Sequence, residues 1–264
     1  MKNLDTKRMI YSFYVNDDSF DHPINKLHFK LLERYIHKFD EVIFCIIIDD
    51  KERYDLIHRI EEFVIGIYHK KITFKIYDNT NFRETLVFYN EIATQMENLD
   101  GLTFFAHNKG ISDDYLELED VQKWVNALYF FNLEYDLPYG ELNSGLFYGA
   151  LKSADINAGN IRDVLIPKYK WYYCGTFFWG KYQELYTYCN NNKIKLPLLT
   201  NRWYDEMFPG NIIPEEYGLT YCGFYVIKSS CLGDNVDGFI RTTYSGAPYI
   251  YDDFITFHKK MIEE

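Results

Sequence analysis

The sequence predicts an α/β fold whose first 110 residues or so hold a parallel sheet. Three observations carry this. Strand-like and helix-like segments alternate without interruption from residue 8 to residue 106. The run 41–48 (EVIFCIII) is continuously apolar, as in a strand covered on both faces. Every strand-like segment closes on polar, turn-forming residues: Asn16-Asp17-Asp18, Asp49-Asp50, Asp78-Asn79-Thr80-Asn81 and His107-Asn108-Lys109-Gly110.

Taken in order, 8–15 (RMIYSFYV) is a β-branched and aromatic first strand. Segment 23–39 places Ile24, Leu27, Phe29, Leu31, Leu32, Tyr35 and Ile36 at helical spacing. The second strand is 41–48, followed by a helix at 55–68 and a third strand at 72–77. Segment 82–98 is a second strong helix, with Asn81 or Thr80 as its cap and Glu84 in the first turn. The fourth strand is 102–106. Strands joined through helices in this way pair in parallel through right-handed crossovers.

Beyond residue 110 the rhythm changes. Residues 113–131 form an amphipathic helix around Leu116, Val121, Trp124, Val125, Leu128 and Tyr129. Loops follow at 138–144, short aromatic strands around 145–151 and 169–179, and a helix at 181–191. With no internal repeat or low-complexity linker, 1–264 is expected to be a single unit with a nucleotide-binding half (1–110) and an acceptor-side half (111–264).

Composition narrows the function. A chain of 264 residues that is 47% hydrophobic buries a substantial core and is not disordered. Its 25 tyrosines and 21 phenylalanines suit stacking on sugars and bases, although an AT-rich coding sequence produces the same excess. A net charge of −11 argues against a general nucleic-acid binder but leaves room for a local basic pocket around one diphosphate. The N-terminus is polar and no apolar run approaches a membrane span, so neither a signal peptide nor a membrane span is expected. Five cysteines without CxxC spacing argue against a disulfide framework or a zinc site, and a cytoplasmic location is the simplest expectation.

In a parallel sheet every strand delivers its carboxyl end to one side, where ligands of α/β folds collect. Asn16, Asp49, Asp78 and Asn79 are therefore candidate partners of ribose hydroxyls or a base edge, against the plainer reading that Asp and Asn simply end strands. His107 and Lys109 are candidates for phosphate, with Asn108 beside them and Gly110 allowing close backbone approach. Further along, Gly175-Thr176-Phe177-Phe178-Trp179-Gly180 sets a flat indole between glycines, a shape for stacking a pyranose or an ordinary buried strand. Arg202-Trp203-Tyr204-Asp205-Glu206-Met207 sets two carboxylates beside two rings. On a helix Arg202 and Glu206 share a face and can pair. A carboxylate in an aromatic pocket tends to a raised pKa, which suits a general base. GxGxxG, P-loop, HExxH and GxSxG patterns are absent.

Taken together, these segments resemble a group of bacterial and viral glycosyltransferase-like proteins of the GT-A fold. Those carry His-(Ser/Thr)-Lys-Gly at a strand end, then a Gly-Asn-Phe-Trp-Trp-like strand, then Arg-Tyr-x-x-Glu. Here they correspond to His107-Asn108-Lys109-Gly110, Gly175-Thr176-Phe177-Phe178-Trp179 and Arg202-Trp203-Tyr204-Asp205-Glu206, over roughly residues 8–210. Asp78-Asn79 with Glu84 and Leu86 also looks like that group. Asn108 replaces the usual Ser or Thr, Thr176 replaces Asn, and the Trp124 region lacks an expected arginine.

The resemblance implies a GT-A-like Rossmann-type sheet and transfer of a sugar from a UDP-, GDP- or dTDP-type nucleotide-sugar to a hydroxyl of a glycan or lipid-linked acceptor, as in surface polysaccharide synthesis. By this likeness His107, Asn108, Lys109, Gly110, Asn16, Asp49, Asp78 and Asn79 face the donor. Gly175, Thr176, Trp179 and Arg202 face the acceptor or sugar. Glu206 is the base, with Asp205 second. GT-A enzymes generally end the fourth strand in Asp-x-Asp, which binds Mn²⁺ or Mg²⁺. His107-Asn108-Lys109 stands there instead, with Asp113-Asp114 a few residues later, so a divalent metal is compatible with the sequence but not required by it. A non-catalytic binding module of the same fold is the alternative. A nucleotidyltransferase is disfavoured because Val15-Asn16-Asp17-Asp18 stands where its glycine-rich loop belongs.

Overall fold

The computed structural model of the chain describes residues 6–16, 19–50, 52–108, 118–134, 145–149, 152–153, 168–169, 171–173, 176–196, 199, 204–219 and 248–263. The described strands are β1 (Lys7–Val15), β2 (Glu41–Ile48), β3 (Lys71–Asp78), β4 (Leu102–His107), β5 (Phe147–Tyr148), β6 (Lys152–Ser153), β7 (Tyr172–Tyr173), β8 (Phe178–Gly180) and β9 (Gly218–Leu219). The described α-helices are α1 (Pro23–Tyr35), α2 (Tyr54–Ile67), α3 (Glu84–Phe88), α4 (Leu118–Tyr129), α5 (Tyr182–Asn191), α6 (Tyr204–Ile212) and α7 (Pro248–Glu263). The chain divides into two compact units, Met1–Ile111 with Trp179–Asp205, and Ser112–Phe178 with Glu206–Glu264. Sequence alone assigns 179–205 to the second half; the segment returns to the first.

The first unit is a mixed α/β layer around a parallel sheet. β1 pairs in parallel with β2 from Arg8↔Glu41 to Val15↔Ile48, and with β4 from Lys7↔Leu102 to Ser12↔His107. β2 pairs in parallel with β3. The strand order is β3-β2-β1-β4, with β8 beside β4. Alternation sends Tyr11 and Phe13 to one face, where Tyr11 stacks on Phe44 at 5.3 Å and Phe13 on Phe29 of α1 at 5.1 Å. Phe29 in turn meets Phe63 of α2 at 4.5 Å. On the opposite face Phe88 of α3 meets Phe105 edge-on at 5.0 Å. Helices α1 and α2 thus cover one face and α3 the other. The chain reverses its direction across the sheet between β1 and β4, the switch point at which such folds bind ligands.

Local chemistry fixes the boundaries. α1 begins at Pro23, whose missing N–H costs nothing in the first turn, and the His22 ring accepts from the Ile24 N–H at 3.2 Å. It tightens into a 3₁₀ turn at Ile36–Lys38 before β2. The helix expected over 82–98 is not continuous. After Phe88 the chain makes a π turn (Tyr89–Ala93), closed by Thr94 N–H to Tyr89 C=O at 3.0 Å, and later a 3₁₀ turn at Met96–Asn98. Buried Glu91 on the π turn accepts from Lys75 Nζ at 2.6 Å and from the Tyr77 hydroxyl.

At the amino edge, buried Arg8 donates to Glu41, to the Asp100 carbonyl at 3.1 Å and to Thr103 Oγ1 at 3.3 Å. Lys71 Nζ donates to the other Glu41 oxygen at 2.7 Å. Burial pushes the Glu41 carboxyl up, but Lys71 and Arg8 together outweigh it, and its pKa lies below the ordinary value. A depressed folded-state pKa adds stability above the unfolded value, about 4.3 for glutamate, that is lost as pH falls through the folded value. Acid titration of the melting temperature should therefore fall less steeply in Glu41→Gln than in wild type, from a lower plateau at neutral pH; identical slopes would contradict the assignment.

Gly101 has φ +71° in the turn before β4, and a Cβ there would collide with the Thr6 carbonyl oxygen, which accepts from Leu102 N–H at 2.9 Å. Gly101→Ala should lower the unfolding free energy by about 2 kcal/mol, read from the urea midpoint.

In the second unit β5 pairs in parallel with β9, and β6 antiparallel with β7. α4 runs into a π turn at Phe130–Glu134, and Phe130 meets Phe254 and Phe257 of α7 at 5.6 and 5.0 Å. Trp171 donates its indole N–H to the Ile213 carbonyl at 2.9 Å and lies over Gly218, where no side chain fits. No helix of the described residues is long and apolar enough to cross a membrane.

Candidate functional site

The site is built from the carboxyl ends of β1 to β4 in the first unit. Between β1 and β4 the gap is closed by one side chain. Asn108, 4% exposed, accepts from Tyr14 N–H through Oδ1 at 2.8 Å and donates through Nδ2 to Tyr14 C=O at 2.6 Å and Asn25 Oδ1 at 2.8 Å. Asn25, buried on α1, donates to the Ser19 carbonyl at 2.7 Å. Asn16 and Ser19 exchange bonds at 2.8 Å each, Asn16 N–H to Ser19 Oγ and Ser19 N–H to Asn16 Oδ1. An amide is both donor and acceptor, so Asn108 continues the ladder between two strands that have begun to part. Its contacts brace the edge, whereas the sequence reading aimed it at a donor.

Over β1, β2 and β3 the edge is acidic and amide-rich. Tyr14 donates to Asp49 Oδ2 at 2.9 Å, Asn79 Nδ2 donates to Asp49 Oδ1 at 2.7 Å, and Asn16 Nδ2 donates to the Tyr14 hydroxyl at 3.2 Å. Burial first, and then the hydrogen bond and charge of Asp49, hold the Tyr14 phenol above its ordinary pKa; Asn16 and the Arg83 guanidinium work against them. Asp78 is exposed at the end of β3. Asn79 Oδ1 is shielded from solvent with no donor among the described residues, an acceptor left over at the edge.

On the α3 side, His107 is 5% exposed, with Nδ1 3.9 Å from Glu84 Oε1. Ser12 stands opposite His107 in the register, and its buried Oγ has no partner among the described residues. Just before α3, Arg83 has φ +48° and ψ −131°, a conformation that costs a non-glycine residue on the order of 1–3 kcal/mol.

The remaining candidates fall elsewhere. Trp179 is 4% exposed, its ring between Phe39 at 5.4 Å and Phe104 at 5.0 Å on the α1 face. It is a core ring with no face open to a pyranose, because the three-residue β8 turns it inward beside β4. Thr176 is buried at φ +59° in the second unit. Asp205 is 1% exposed and accepts from Thr85 Oγ1 at 2.9 Å, while Tyr204 packs edge-on against Phe88 and Tyr89 at 6.3 and 5.8 Å. Glu206 lies on α6, but its side chain is outside the described residues, as are Lys109, Gly110, Asp113, Asp114, Gly175 and Arg202. Among the described residues no three His, Cys, Asp or Glu side chains converge as metal ligands.

Sequence reasoning overlooked Tyr14, Ser12, Asn25 and Arg83. The alternation of β1 places Ser12 and Tyr14 on the face opposite Tyr11 and Phe13, and the parallel order carries Tyr14 to the ligand edge; that signal was available. Nothing in the residue type of Arg83 reveals its backbone. No family model matches the chain, and no curated protein matches it.

Proposed function

We propose that the chain is a GT-A-like glycosyltransferase that moves a sugar from a nucleoside-diphosphate donor to a hydroxyl of a glycan or lipid-linked acceptor. The observation that supports this most is the switch point between β1 and β4, whose rim carries the Tyr14–Asp49–Asn79 network and the His107–Glu84 pair. His107, with Glu84 3.9 Å from its Nδ1, brings an imidazole to the same rim, where a ring N–H is suited to a phosphate oxygen.

In an inverting course the Glu206 carboxylate removes the acceptor hydroxyl proton as that oxygen bonds to the anomeric carbon. The bond from that carbon to the phosphate oxygen breaks, and the nucleoside diphosphate leaves with the electron pair. Lys109 and His107 offset the charge that develops on it, the main electrostatic task in such a step. No step is assigned to a metal.

Incubation with UDP-, GDP- and dTDP-sugars and a polyol or glycan acceptor tests the reading. Release of nucleoside diphosphate supports it, and release of pyrophosphate would point to nucleotidyl transfer. Binding without release would favour the binding module, a reading to which the bracing of Asn108 lends weight.

A further inference from the structure

The sheet ends at β3, with which only β2 pairs among the described strands. Asn79 N–H donates to the Ile48 carbonyl of β2 at 3.0 Å, so by alternation residues 71, 73, 75 and 77 turn their backbone groups to β2. Ile72, Phe74 and Ile76 turn theirs the other way, out of the sheet. An edge of eight residues without proline is a template for a further strand. Lysines commonly guard such edges, but here they are drawn inwards, Lys71 to Glu41 at 2.7 Å and Lys75 to Glu91 at 2.6 Å.

An apolar flank adjoins this edge. Ile72, Phe74 and Ile76 share the face on which Phe74 meets Phe44 at 6.1 Å; the first two are half-buried and Ile76 is exposed. On α2, Phe63 faces α1, and the exposed Tyr54 and Ile65 stand on the opposite flank about three turns apart. The strand is also self-complementary. Its apolar residues read alike from either end, Ile72-x-Phe74-x-Ile76, while Lys70 and Asp78, equally spaced about Phe74, carry opposite charges. A two-fold axis at Phe74 therefore sets Phe74 against Phe74, Ile72 against Ile76 and Lys70 opposite Asp78. In that register the outward backbone groups of 72, 74 and 76 face one another, for about six new hydrogen bonds. A strand from another protein needs no such symmetry. We propose that β3 is the interface of a homodimer, pairing antiparallel with β3 of a second copy so that the two sheets join, with the Tyr54–Ile65 flank of α2 beside the join. The inference is independent of the glycosyl-transfer reading.

The test is sedimentation equilibrium of the full chain from micromolar to millimolar concentration, with amide exchange followed residue by residue. Wild type should sediment as two chains at the upper end, with the Ile72, Phe74 and Ile76 amides protected. Ile76→Lys should raise the dissociation constant about 100-fold or more, because the axis brings the charge twice into an apolar contact, and should return those three amides to fast exchange. Leu118→Lys, at an exposed apolar residue of the second unit, should leave both readouts as in wild type. Should Ile76→Lys not fold, Ile76→Thr keeps the β-branch and should weaken the dimer about 10-fold. A wild type that stays a single chain at every concentration overturns the dimer and leaves the edge to a strand of another protein. A dimer whose mass and exchange are unchanged by Ile76→Lys overturns β3 as its interface, and equal weakening by Leu118→Lys does the same.

Discussion

Turnover of the Glu206→Gln variant is expected to fall about 10²- to 10⁴-fold while donor affinity stays within about twofold of wild type. Glutamine keeps the size of the side chain and one acceptor oxygen but cannot take a proton from the acceptor hydroxyl, so the loss belongs to kcat. The neighbouring carboxylate behaves differently. Asp205 is buried against Thr85 Oγ1 at 2.9 Å, and Tyr204 before it is anchored on Phe88 and Tyr89. Changing Asp205 to Asn should therefore register in the melting temperature as well as in rate. Single-turnover measurements with each variant separate the two. Full turnover in Glu206→Gln would remove Glu206 as the base and return attention to a retaining course.

Asn108→Leu should lower the unfolding free energy by roughly 3 kcal/mol, since Tyr14 N–H, Tyr14 C=O and the buried Asn25 amide each lose a partner. Asn108→Asp is the sharper variant. It retains the acceptor for Tyr14 N–H but turns a second oxygen towards the Tyr14 carbonyl and Asn25 Oδ1, acceptor against acceptor. Urea denaturation should find the aspartate variant no more stable than the leucine variant. Wild-type stability in the aspartate variant would mean that the amide does not brace the two strands.

The parallel layer was legible because its strands announce themselves twice, in β-branched and aromatic segments, continuously apolar in β2, and in the polar residues that stop them. β2 coincides with the expected 41–48, β1 and β4 are each longer than expected by one residue at one end, and β3 by one residue at each end. Helix interiors were less legible. The apolar spacing over 82–98 fits one helix, yet periodicity reports which face is buried and is nearly blind to whether a turn closes on the fourth or fifth residue. The site divides similarly. That Asn16, Asp49, Asn79 and His107 gather on one edge follows from parallel pairing alone. That Trp179 lies between Phe39 and Phe104 does not, because three apolar residues in a row leave both faces of a strand equally credible. Nor does any pattern of types disclose that Asn108 bonds to backbone or that Arg83 sits at positive φ.

The wide turn at Tyr89–Ala93 makes chain length, as well as residue identity, a determinant of charge balance on the α3 face. Such a turn is equivalent to one residue inserted into an α-helix. Delete a residue there and the helix closes normally, but Glu91 swings roughly 100° about the axis and leaves Lys75 and Tyr77 without their carboxylate. A homologue one residue shorter at this point would have to change Lys75 as well, so a gap in the helix and a substitution on the third strand should travel together through any lineage of this protein.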